Sequence, residues 1–436
     1  MSARIPAGRL ALVAALAVGA GAAVPAQSKL VAGFDSARLA RIDAAVTEAI
    51  AAHQLPGAVV VVGRGDTVVY RKAYGQRAIV PSPELMTLDT IFDLASLTKV
   101  VATTPAVMML VEEGRIRLTD PVATFIPEFA KYGKDRVAVR DLLTHMSGLR
   151  PDLDLGEPWI GHDEAIRRAC EEVLTDPPGR RFVYSDINYF LLGEIVSRVM
   201  KQPLADAVRD RIFRPLGMTD TTYLPAAGLV TRSAPTETCS RDSPPCPGGD
   251  GAMLRGVVHD PTARRMGGVA GHAGVFSTAA DLTRFARMML GQGALGPARI
   301  LSPLTVARMT TPATPAGEAN VRGLGWDIDS SYSANRGELL PMGSYGHTGF
   351  TGTSIWIDPA TQVFVIFLSN RLHPDGKGDV TPLRARVATI VASSLIDVPA
   401  VTAKDARFTR QLFDSQIPPV VAPASVPVMT GIDVLR

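Results

Sequence analysis

The stretch from Ser96 to Lys99 places a nucleophile and a base at a spacing that suits acyl transfer. Ser96 follows an extended segment, residues 89–93, and precedes a long apolar helical pattern, residues 100–111. At a helix start, backbone N–H groups and the positive end of the dipole favour a developing oxyanion. Lys99 lies on the same helical face, so its amine can reach the Ser96 hydroxyl and take its proton. S-x-x-K is common by chance, and taken alone it also fits an N-cap serine followed by a solvated lysine.

Two further stretches strengthen the catalytic interpretation. Residues 182–189 (FVYSDINY) run into an apolar helical pattern, and residues 346–352 (GHTGFTG) come just before a strand pattern. With the first stretch, they resemble in order and separation the three active-site motifs of the serine β-lactamase and penicillin-binding protein superfamily: S-x-x-K, Y-x-N and K-T-G. The resemblance is closest to the class C β-lactamase-like branch, which includes D-alanyl-D-alanine carboxypeptidases and related carboxylesterases. It covers about residues 35–395.

The resemblance implies a role for each matching residue. Ser96 would be the nucleophile, and Lys99 the nearest base, effective only if some of its amine is kept neutral. Tyr184 would exchange protons with Ser96 and protonate the leaving group; without the other motifs it would read as a half-buried aromatic residue. The backbone N–H groups of Ser96 and Phe350 would form the oxyanion hole. On the substrate-binding side the resemblance places Asp186, His347, Thr348 and Gly349.

The second motif departs from the family pattern at Asp186, where the pattern has asparagine. An amide can donate a hydrogen bond to a substrate carbonyl, whereas an ionised carboxylate can only accept one. Asp186 near Lys99 would also favour the charged ammonium, which weakens Lys99 as a base and shifts proton transfer towards Tyr184. Asn188, four residues after Tyr184, could share its helical face and partly replace the missing amide.

The third motif departs at His347, where the pattern has lysine. Histidine is only fractionally charged at neutral pH, so it anchors a substrate carboxylate less strongly. Gly349 and Gly352 would permit a close approach of this strand to a ligand. Together, the two departures weaken the case for an efficient β-lactamase more than the case for a general acyl hydrolase.

The first 26 residues predict a secretory signal peptide. Arg4 and Arg9 precede an unbroken apolar run, residues 10–23, with a cleavage site near Ala26. The run is short for a bilayer span, although an uncleaved anchor is an alternative. We therefore expect a periplasmic or secreted protein with no stable membrane insertion after cleavage.

Export makes the three cysteines informative. Cys239 and Cys246 bracket a short polar loop that could close as a disulfide in an oxidising compartment. Cys170 lies in an apolar helical pattern and is expected to be a small buried residue.

Composition and missing motifs exclude several classes. The 436 residues carry a net charge of +3 with both signs interspersed, so nothing suggests nucleic acid as a partner. No C-x-x-C or H-E-x-x-H spacing occurs, and neither a metal nor a cofactor is expected. The absence of G-x-S-x-G excludes the nucleophile elbow of α/β-hydrolases. His145 is expected to orient its loop by hydrogen bonding, and His272, in a glycine-rich loop, is a weaker candidate for a direct role.

The hydrophobic patterning predicts an α+β fold. In this fold an antiparallel sheet is flanked by terminal helices, and a largely helical second lobe covers about residues 97–290. Both lobes belong to one domain, residues 27–396. The cleft between the lobes is the expected place of the site, and residues 397–436 would be an irregular tail. The predicted strands are 57–63, 67–74, 353–357 and 362–368, the terminal helices are 34–53 and 381–395, and the lobe helices are 97–113, 163–174, 188–200, 203–213 and 279–291.

These observations predict an exported serine hydrolase that works through an acyl-enzyme. Its expected substrates are D-alanyl peptides of the cell wall or β-lactams, so its partner would be a small molecule or a peptidoglycan-derived substrate. A carboxylesterase acting on small esters is the alternative. A more distant alternative is a non-catalytic homologue that binds peptidoglycan.

Overall fold

An antiparallel sheet of eight strands forms one lobe of the protein. In the computed structural model, which describes residues 30–241 and 243–399 together with Met1 and Arg407, strands from both ends of the chain share this sheet. Gly57–Arg64 pairs with Val363–Ser369, with Ala58 opposite Ser369 and Arg64 opposite Val363. The predicted sharing of one sheet is therefore confirmed. Across the sheet the order is Val321–Arg322, Asp327–Asp329, Tyr345–Thr348, Ser354–Asp358, Val363–Ser369, Gly57–Arg64, Thr67–Ala78 and Glu84–Leu85.

The two central strands are apolar on both faces because helices cover both sides of the sheet. Alternate residues of a strand point to opposite faces. Val60 and Val62 pack against the terminal helices Arg41–Ala51 and Thr381–Ser394, whereas Val59 and Val61 belong to the larger core shared with the helical lobe. The prediction of terminal helices flanking an antiparallel sheet is confirmed.

The second lobe is largely helical, as predicted. Its principal helix, Asp186–Met200, is buried along most of its length and packs against the helices around it. Among the described residues, no helix has the length and apolar character needed to cross a membrane. The other α-helices of the described chain, besides the terminal pair, are Ser36–Leu39, Thr104–Glu112, Val139–Leu143, His162–Glu171, Leu204–Val208, Ala227–Val230, Pro261–Arg265, Ala279–Leu290 and Pro303–Thr310.

Shorter elements complete the described chain. A three-stranded sheet has the order Phe92–Asp93, Val275–Ser277 and Thr222–Tyr223, and it supports the chain just before Ser96. Two-residue strands pair Leu30–Val31 with Phe34–Asp35 and Ala294–Leu295 with Ala298–Arg299, while Val122–Thr124, Pro127–Arg136 and Ser333–Arg336 form 3₁₀ segments.

Three predicted helices are divided or locally altered in the structure. The helix predicted over 203–213 consists of Leu204–Val208 and a π-helical segment, Arg209–Phe213. The helix predicted over 34–53 is divided into Ser36–Leu39 and Arg41–Ala51, and Asp35 caps the first by accepting from the N–H of Ala37. The helix predicted over 97–113 contains a π-helical segment, Lys99–Thr103, which begins at the motif lysine. Such π turns often mark functional positions, and the apolar periodicity of the sequence does not distinguish them from an α-helix.

A disulfide closes the polar loop between Cys239 and Cys246, whose Sγ atoms lie 2.08 Å apart. Arg264 ties this loop to the helix Pro261–Arg265, because its guanidinium donates to the carbonyl oxygens of Ser243 and Pro245. Cys170 is a free thiol and is buried. The predicted signal peptide, apart from Met1, lies outside the described residues, as does nearly all of the predicted tail beyond residue 399.

Candidate active site

Ser96 lies in a tight turn between the strand Phe92–Asp93 and the helical segment that follows. The buried carboxylate of Asp93 holds this turn: Oδ1 accepts from the N–H of Ala95 at 2.9 Å, and Oδ2 accepts from the N–H of His259 at 2.7 Å. Ala95 has a left-handed φ of 46°. Non-glycine residues hold this conformation only where the surroundings fix it, often at functional sites. The turn presents Ser96 at the helix start, on the wall of a cavity.

Lys99 is fully buried one turn after Ser96, and its Nζ atom faces three acceptors. It donates to Ser96 Oγ at 3.0 Å and to the carbonyl oxygen of His272 at 3.1 Å, and it lies 2.6 Å from Asp186 Oδ1. Three acceptors match the three N–H donors of an ammonium group. Burial opposes the charge, but Asp186 and Tyr184 outweigh it and raise the pKa of Lys99 above its ordinary value. Lys99 is therefore a charged hydrogen-bond donor to Ser96.

Tyr184 lies beside this ammonium, just before the helix Asp186–Met200. Lys99 Nζ is 5.1 Å from the centroid of the Tyr184 ring. The ring stacks on His145 with centroids 4.4 Å apart, and the Nδ1 atom of His145 accepts from the N–H of Ser185 at 3.1 Å. Burial, with the charges of Arg322 and Lys99, lowers the pKa of His145 well below its ordinary value, so its ring is neutral. His145 thus holds the second motif through a hydrogen bond, whereas the expectation was that it orients its own loop.

Asn188 does not replace the missing amide of the second motif, so that prediction is wrong. Its side chain is buried: Oδ1 accepts from Ser147 Oγ at 2.6 Å, and Nδ2 lies 3.3 Å from His145 Nδ1. Tyr184 precedes the helix that contains Asn188, so the two residues do not share a helical face. The amide of Asn188 serves the loop around His145.

The third motif contacts the nucleophile turn through its backbone. A Cβ atom at Gly349 would lie 2.4 Å from the carbonyl oxygen of Leu94 and 2.1 Å from Thr353 Oγ1, so no side chain fits there. Thr353 Oγ1 also donates to the Leu94 carbonyl at 3.0 Å. Gly349 therefore makes a close approach to the chain that carries Ser96, two residues further on. Its predicted approach to a ligand stays a prediction.

His347 is neutral, which corrects the expectation of a fractional charge. It is 4% exposed, and its Nδ1 atom lies 2.8 Å from the carbonyl oxygen of Thr348. Burial, with the charges of Arg322 and Lys99, lowers its pKa well below the ordinary value. A buried neutral imidazole gives a substrate carboxylate no counter-charge.

Six of the predicted site residues line a cavity of about 330 Å³ beside the third motif, whereas Lys99 and Asp186 do not line it. This volume lies within the range of small-molecule sites. Phe350 is 62% exposed and Tyr332 is 42% exposed, so two aromatic side chains are offered to a ligand. The cavity lining includes Ser96, Tyr184, His347, Thr348, Gly349 and Phe350 from the predicted set, together with Arg322, Asp327, Tyr332, Arg371, Asp379, Thr381 and Arg384.

The three cavity arginines were not predicted from the sequence. Arg371 comes two residues after the strand Val363–Ser369, and Arg384 lies in the first turn of the closing helix Thr381–Ser394. Both elements were predicted, and the strand lies next to the hairpin that carries the third motif. A search for charged residues at that strand end and helix start would have found these two side chains.

His272 acts on Lys99 through its backbone, while its side chain pairs with Asp260 at 2.9 Å. Burial disfavours the charged ring, but Asp260 raises the pKa of His272 above its ordinary value.

Burial, with the charges of Asp260 and Asp186, raises the pKa of Asp152 to about 7. In the described part of the chain, no group of three or more His, Cys, Asp or Glu residues could hold a metal ion.

Comparison with known proteins identifies the family. A family model described as Beta-lactamase matches residues 42–389. The chain is a member of the β-lactamase family. A protein of Escherichia coli O157:H7 with the name "Putative D-alanyl-D-alanine carboxypeptidase" is 32% identical over 378 residues, which cover 78% of this chain and 84% of that relative. This β-lactamase-family chain is thus a serine hydrolase, as the three motifs predict.

Solved structures agree with the fold of this β-lactamase-family protein. EstCE1, "a hydrolase with promiscuous acyltransferase activity", has a TM-score of 0.65 and 23% identity, covering 82% of this chain and 99% of its own. "A class C beta-lactamase" has a TM-score of 0.65 and 22% identity, covering 84% of this chain and 99% of its own. At these identities the likeness establishes the shared α+β architecture.

Proposed function

We propose that this protein is an acyl hydrolase that forms an acyl-enzyme on Ser96 and acts on D-alanyl peptides of the cell wall or on β-lactams. One observation carries the proposal: buried Lys99 donates to Ser96 Oγ at 3.0 Å beside a cavity of small-molecule size. The name of the Escherichia coli relative, a putative D-alanyl-D-alanine carboxypeptidase, supports the peptide substrate.

In the proposed acylation step, Lys99 stays charged and Tyr184 carries the proton. Ser96 Oγ attacks the substrate carbonyl carbon, and its proton passes to the phenol oxygen of Tyr184. Tyr184 gives its own proton to the leaving nitrogen or oxygen as that bond breaks, so the phenol is regenerated. The fixed ammonium of Lys99 stabilises the alkoxide character of Ser96 Oγ during attack.

The oxyanion of the tetrahedral intermediate would be held by two backbone donors, the N–H groups of Ser96 and Phe350. The first is placed by the turn that Asp93 fixes, and the second by the Gly349 contact with Leu94. Both positions depend on contacts between the nucleophile turn and the third motif. In deacylation, water attacks the ester carbonyl, Tyr184 takes its proton, and Ser96 Oγ receives the proton as it leaves.

Hydrolysis of small esters is the second candidate function. Asp186 Oδ1 is 2.6 Å from Lys99 Nζ, and a carboxylate has no N–H to donate to the carbonyl of a substrate amide. Ester substrates depend less on such a donor. The exposed rings of Phe350 and Tyr332 at the cavity would accept an apolar acyl group. A non-catalytic binding function is disfavoured, because a site without catalytic activity does not require a buried ammonium group that donates to a serine.

An extracytoplasmic location follows from the proposed cell-wall substrate and from the predicted signal peptide over residues 1–26. Intact mass spectrometry of protein recovered from the periplasm or medium would test it. A mature chain that begins near residue 27 is expected. Protein that remains in the cytoplasm with residues 1–26 attached would contradict the proposed location.

Labelling followed by a substrate panel tests the function. The purified protein is treated with a fluorescent penicillin or a fluorophosphonate, and we expect one adduct, which peptide mapping places on Ser96. The Ser96→Ala variant is the control and should take up no label and show no turnover. The panel contains a D-alanyl-D-alanine peptide, a penicillin and a short p-nitrophenyl ester. An adduct on another residue, or full turnover by Ser96→Ala, would overturn the proposal.

A further inference from the structure

The ring of Tyr184 is packed between two other aromatic rings. His145, which is buried, stacks on it with centroids 4.4 Å apart and an interplanar angle of 25°. Tyr332 packs on it with centroids 5.1 Å apart and an interplanar angle of 32°. Within the described chain the rings of His145 and Tyr332 do not contact each other, so they lie on different sides of the phenol ring. Because Tyr332 lines the cavity and is 42% exposed, it covers Tyr184 from the cavity side.

Tyr332 belongs to a turn that is built on one buried carboxylate. Asp327 Oδ1 accepts from Ser330 Oγ at 2.5 Å, and Asp327 Oδ2 accepts from Ser333 Oγ at 2.9 Å. The two hydroxyl oxygens also accept from the backbone: the N–H of Tyr332 donates to Ser330 Oγ at 3.1 Å, and the N–H of Ser330 donates to Ser333 Oγ at 2.8 Å. These bonds fix the place from which the Tyr332 ring reaches Tyr184.

The direction of the Tyr184 side chain matters for the proposed mechanism. Its hydroxyl passes a proton from Ser96 to the leaving group, and each transfer requires the heavy atoms to be at hydrogen-bond distance. Residues 181–185 have no regular secondary structure, so no helix or strand fixes this side chain. Its alignment therefore depends on the rings that pack against it, and aromatic pairs at such centroid distances attract each other.

We propose that Tyr332 is a positioning residue for proton transfer, which keeps the Tyr184 phenol aligned with Ser96 Oγ and the leaving group. The inference rests on the proposed function and adds to it a residue that lies outside the three motifs. The ring of Tyr332 carries this role rather than its hydroxyl, because the two tyrosines contact each other through their rings.

Two esters with the same acyl group test this role. An ethoxide needs a proton as it leaves, whereas a p-nitrophenolate leaves without one. We therefore expect Tyr332→Ala to lower kcat/KM for ethyl butyrate about 10-fold more than for p-nitrophenyl butyrate. A loss of folded protein would lower both values equally. Tyr332→Phe keeps the ring and should restore most of the wild-type ratio between the two esters.

Tyr132→Ala is the matched control, because it removes a tyrosine ring that is 59% exposed and does not line the cavity. It should leave the ratio unchanged. If Tyr332→Ala does not fold, Ser333→Ala gives the test, since it weakens the turn and should change the ratio in the same direction. An unchanged ratio in Tyr332→Ala, or a Tyr332→Phe variant as impaired as the alanine variant, would overturn the proposal.

A double-mutant cycle on stability separates this inference from the proposed function. Tyr184→Ala, Tyr332→Ala and the double variant are compared by urea unfolding. We expect their effects on the unfolding constant to be non-additive by about 2- to 10-fold, as for other aromatic pairs. Such coupling in a protein without hydrolytic activity would support the placement of Tyr184 by Tyr332 and refute the proposed function. Hydrolysis by the wild type, with additive effects and an unchanged ester ratio in Tyr332→Ala, would do the reverse.

Discussion

Asp186 Oδ1 lies 2.6 Å from Lys99 Nζ, and this ion pair favours the charged form of Lys99. The carboxylate occupies the position at which the family pattern has an amide. Its negative charge pairs with the ammonium group of the lysine. Lys99 is consequently held as an ammonium that donates to Ser96, and it is not available as a base in the resting state. In the proposed mechanism, proton transfer therefore falls to Tyr184, the other predicted catalytic side chain.

Asp186→Asn is expected to destabilise the protein by about 1–3 kcal/mol at pH 7. The variant leaves the buried ammonium of Lys99 without its counter-charge, and the partial exposure of Asp186 limits the loss. Because the folded-state pKa of Lys99 is raised, the contribution of the pair is fully present below the unfolded value of about 10.4 and is lost as pH rises through the folded value.

Urea unfolding at pH 7 and at a pH well above the unfolded value of about 10.4 checks this prediction, and the gap between wild type and Asp186→Asn should narrow at the higher pH. Asp163→Asn is the control, since Asp163 also lies in the first turn of a helix but is exposed. A gap of equal size at both pH values would contradict the role given to the pair.

Tyr184→Phe is expected to lower kcat by about 10²-fold or more, because it removes the hydroxyl that carries the proton. Folding should survive, since the ring still stacks on His145. Steady-state kinetics on an ester and a peptide, with a thermal melt, provide the measurement. Tyr132→Phe, which removes a hydroxyl from an exposed ring, should change neither kcat nor the melting temperature. Full activity in Tyr184→Phe would make the second motif purely structural.

Gly349→Ala is expected to lower kcat/KM by about 10²-fold. The new Cβ atom would collide with the Leu94 carbonyl and Thr353 Oγ1 and displace the turn that carries Ser96. Small displacements of a nucleophile are costly to rate because reacting atoms must be aligned. Gly228→Ala is the control, since nothing lies within 4 Å of that Cβ position. Wild-type kinetics in Gly349→Ala would show that catalysis does not depend on the contact between the third motif and the turn that carries Ser96.

Asp260→Asn is expected to destabilise the protein most between about pH 4 and pH 6.5. Asparagine still caps the helix, but the charge that pairs with His272 is lost. The raised pKa of His272 gives stability that is present below about 6.5 and is lost as pH rises through the folded value. The lowered pKa of Asp260 gives stability that is present above about 3.9 and is lost as pH falls through the folded value.

Thermal melts from pH 4 to pH 8.5 check this prediction, and the difference from wild type should shrink above pH 6.5. Asp66→Asn is the surface control, since Asp66 is 86% exposed in its pair with Arg287. A difference that grows with pH would contradict the sign assigned to His272.

Relationships between residues close in the sequence could be predicted. The Ser96 and Lys99 contact follows from helical spacing, and the terminal strands and helices follow from apolar periodicity. The role of Tyr184 was predicted from the family resemblance rather than from its spacing in the sequence. The interaction between Asp186 and Lys99 could be anticipated because both residues stand in recognised motifs.

The failures concern side chains whose partners lie far away in the sequence. Asn188 is bound by Ser147 and His145, and no local pattern indicates that the loop would compete for its amide. The burial that neutralises His347 depends on packing between lobes. Arg384 reaches the cavity only because the closing helix packs on the sheet beside the third motif. In each case tertiary contact decides the role.

The pairing of Gly57–Arg64 with Val363–Ser369 has a consequence for the order of synthesis. The nucleophile and its lysine are made early, whereas Gly349 and the second central strand follow some 250 residues later. Until then, one edge of an apolar strand has no partner, which is a hazard for aggregation. The emerging chain therefore carries a serine that cannot yet react and a sheet edge that must be shielded, and closing the sheet ends both conditions at once.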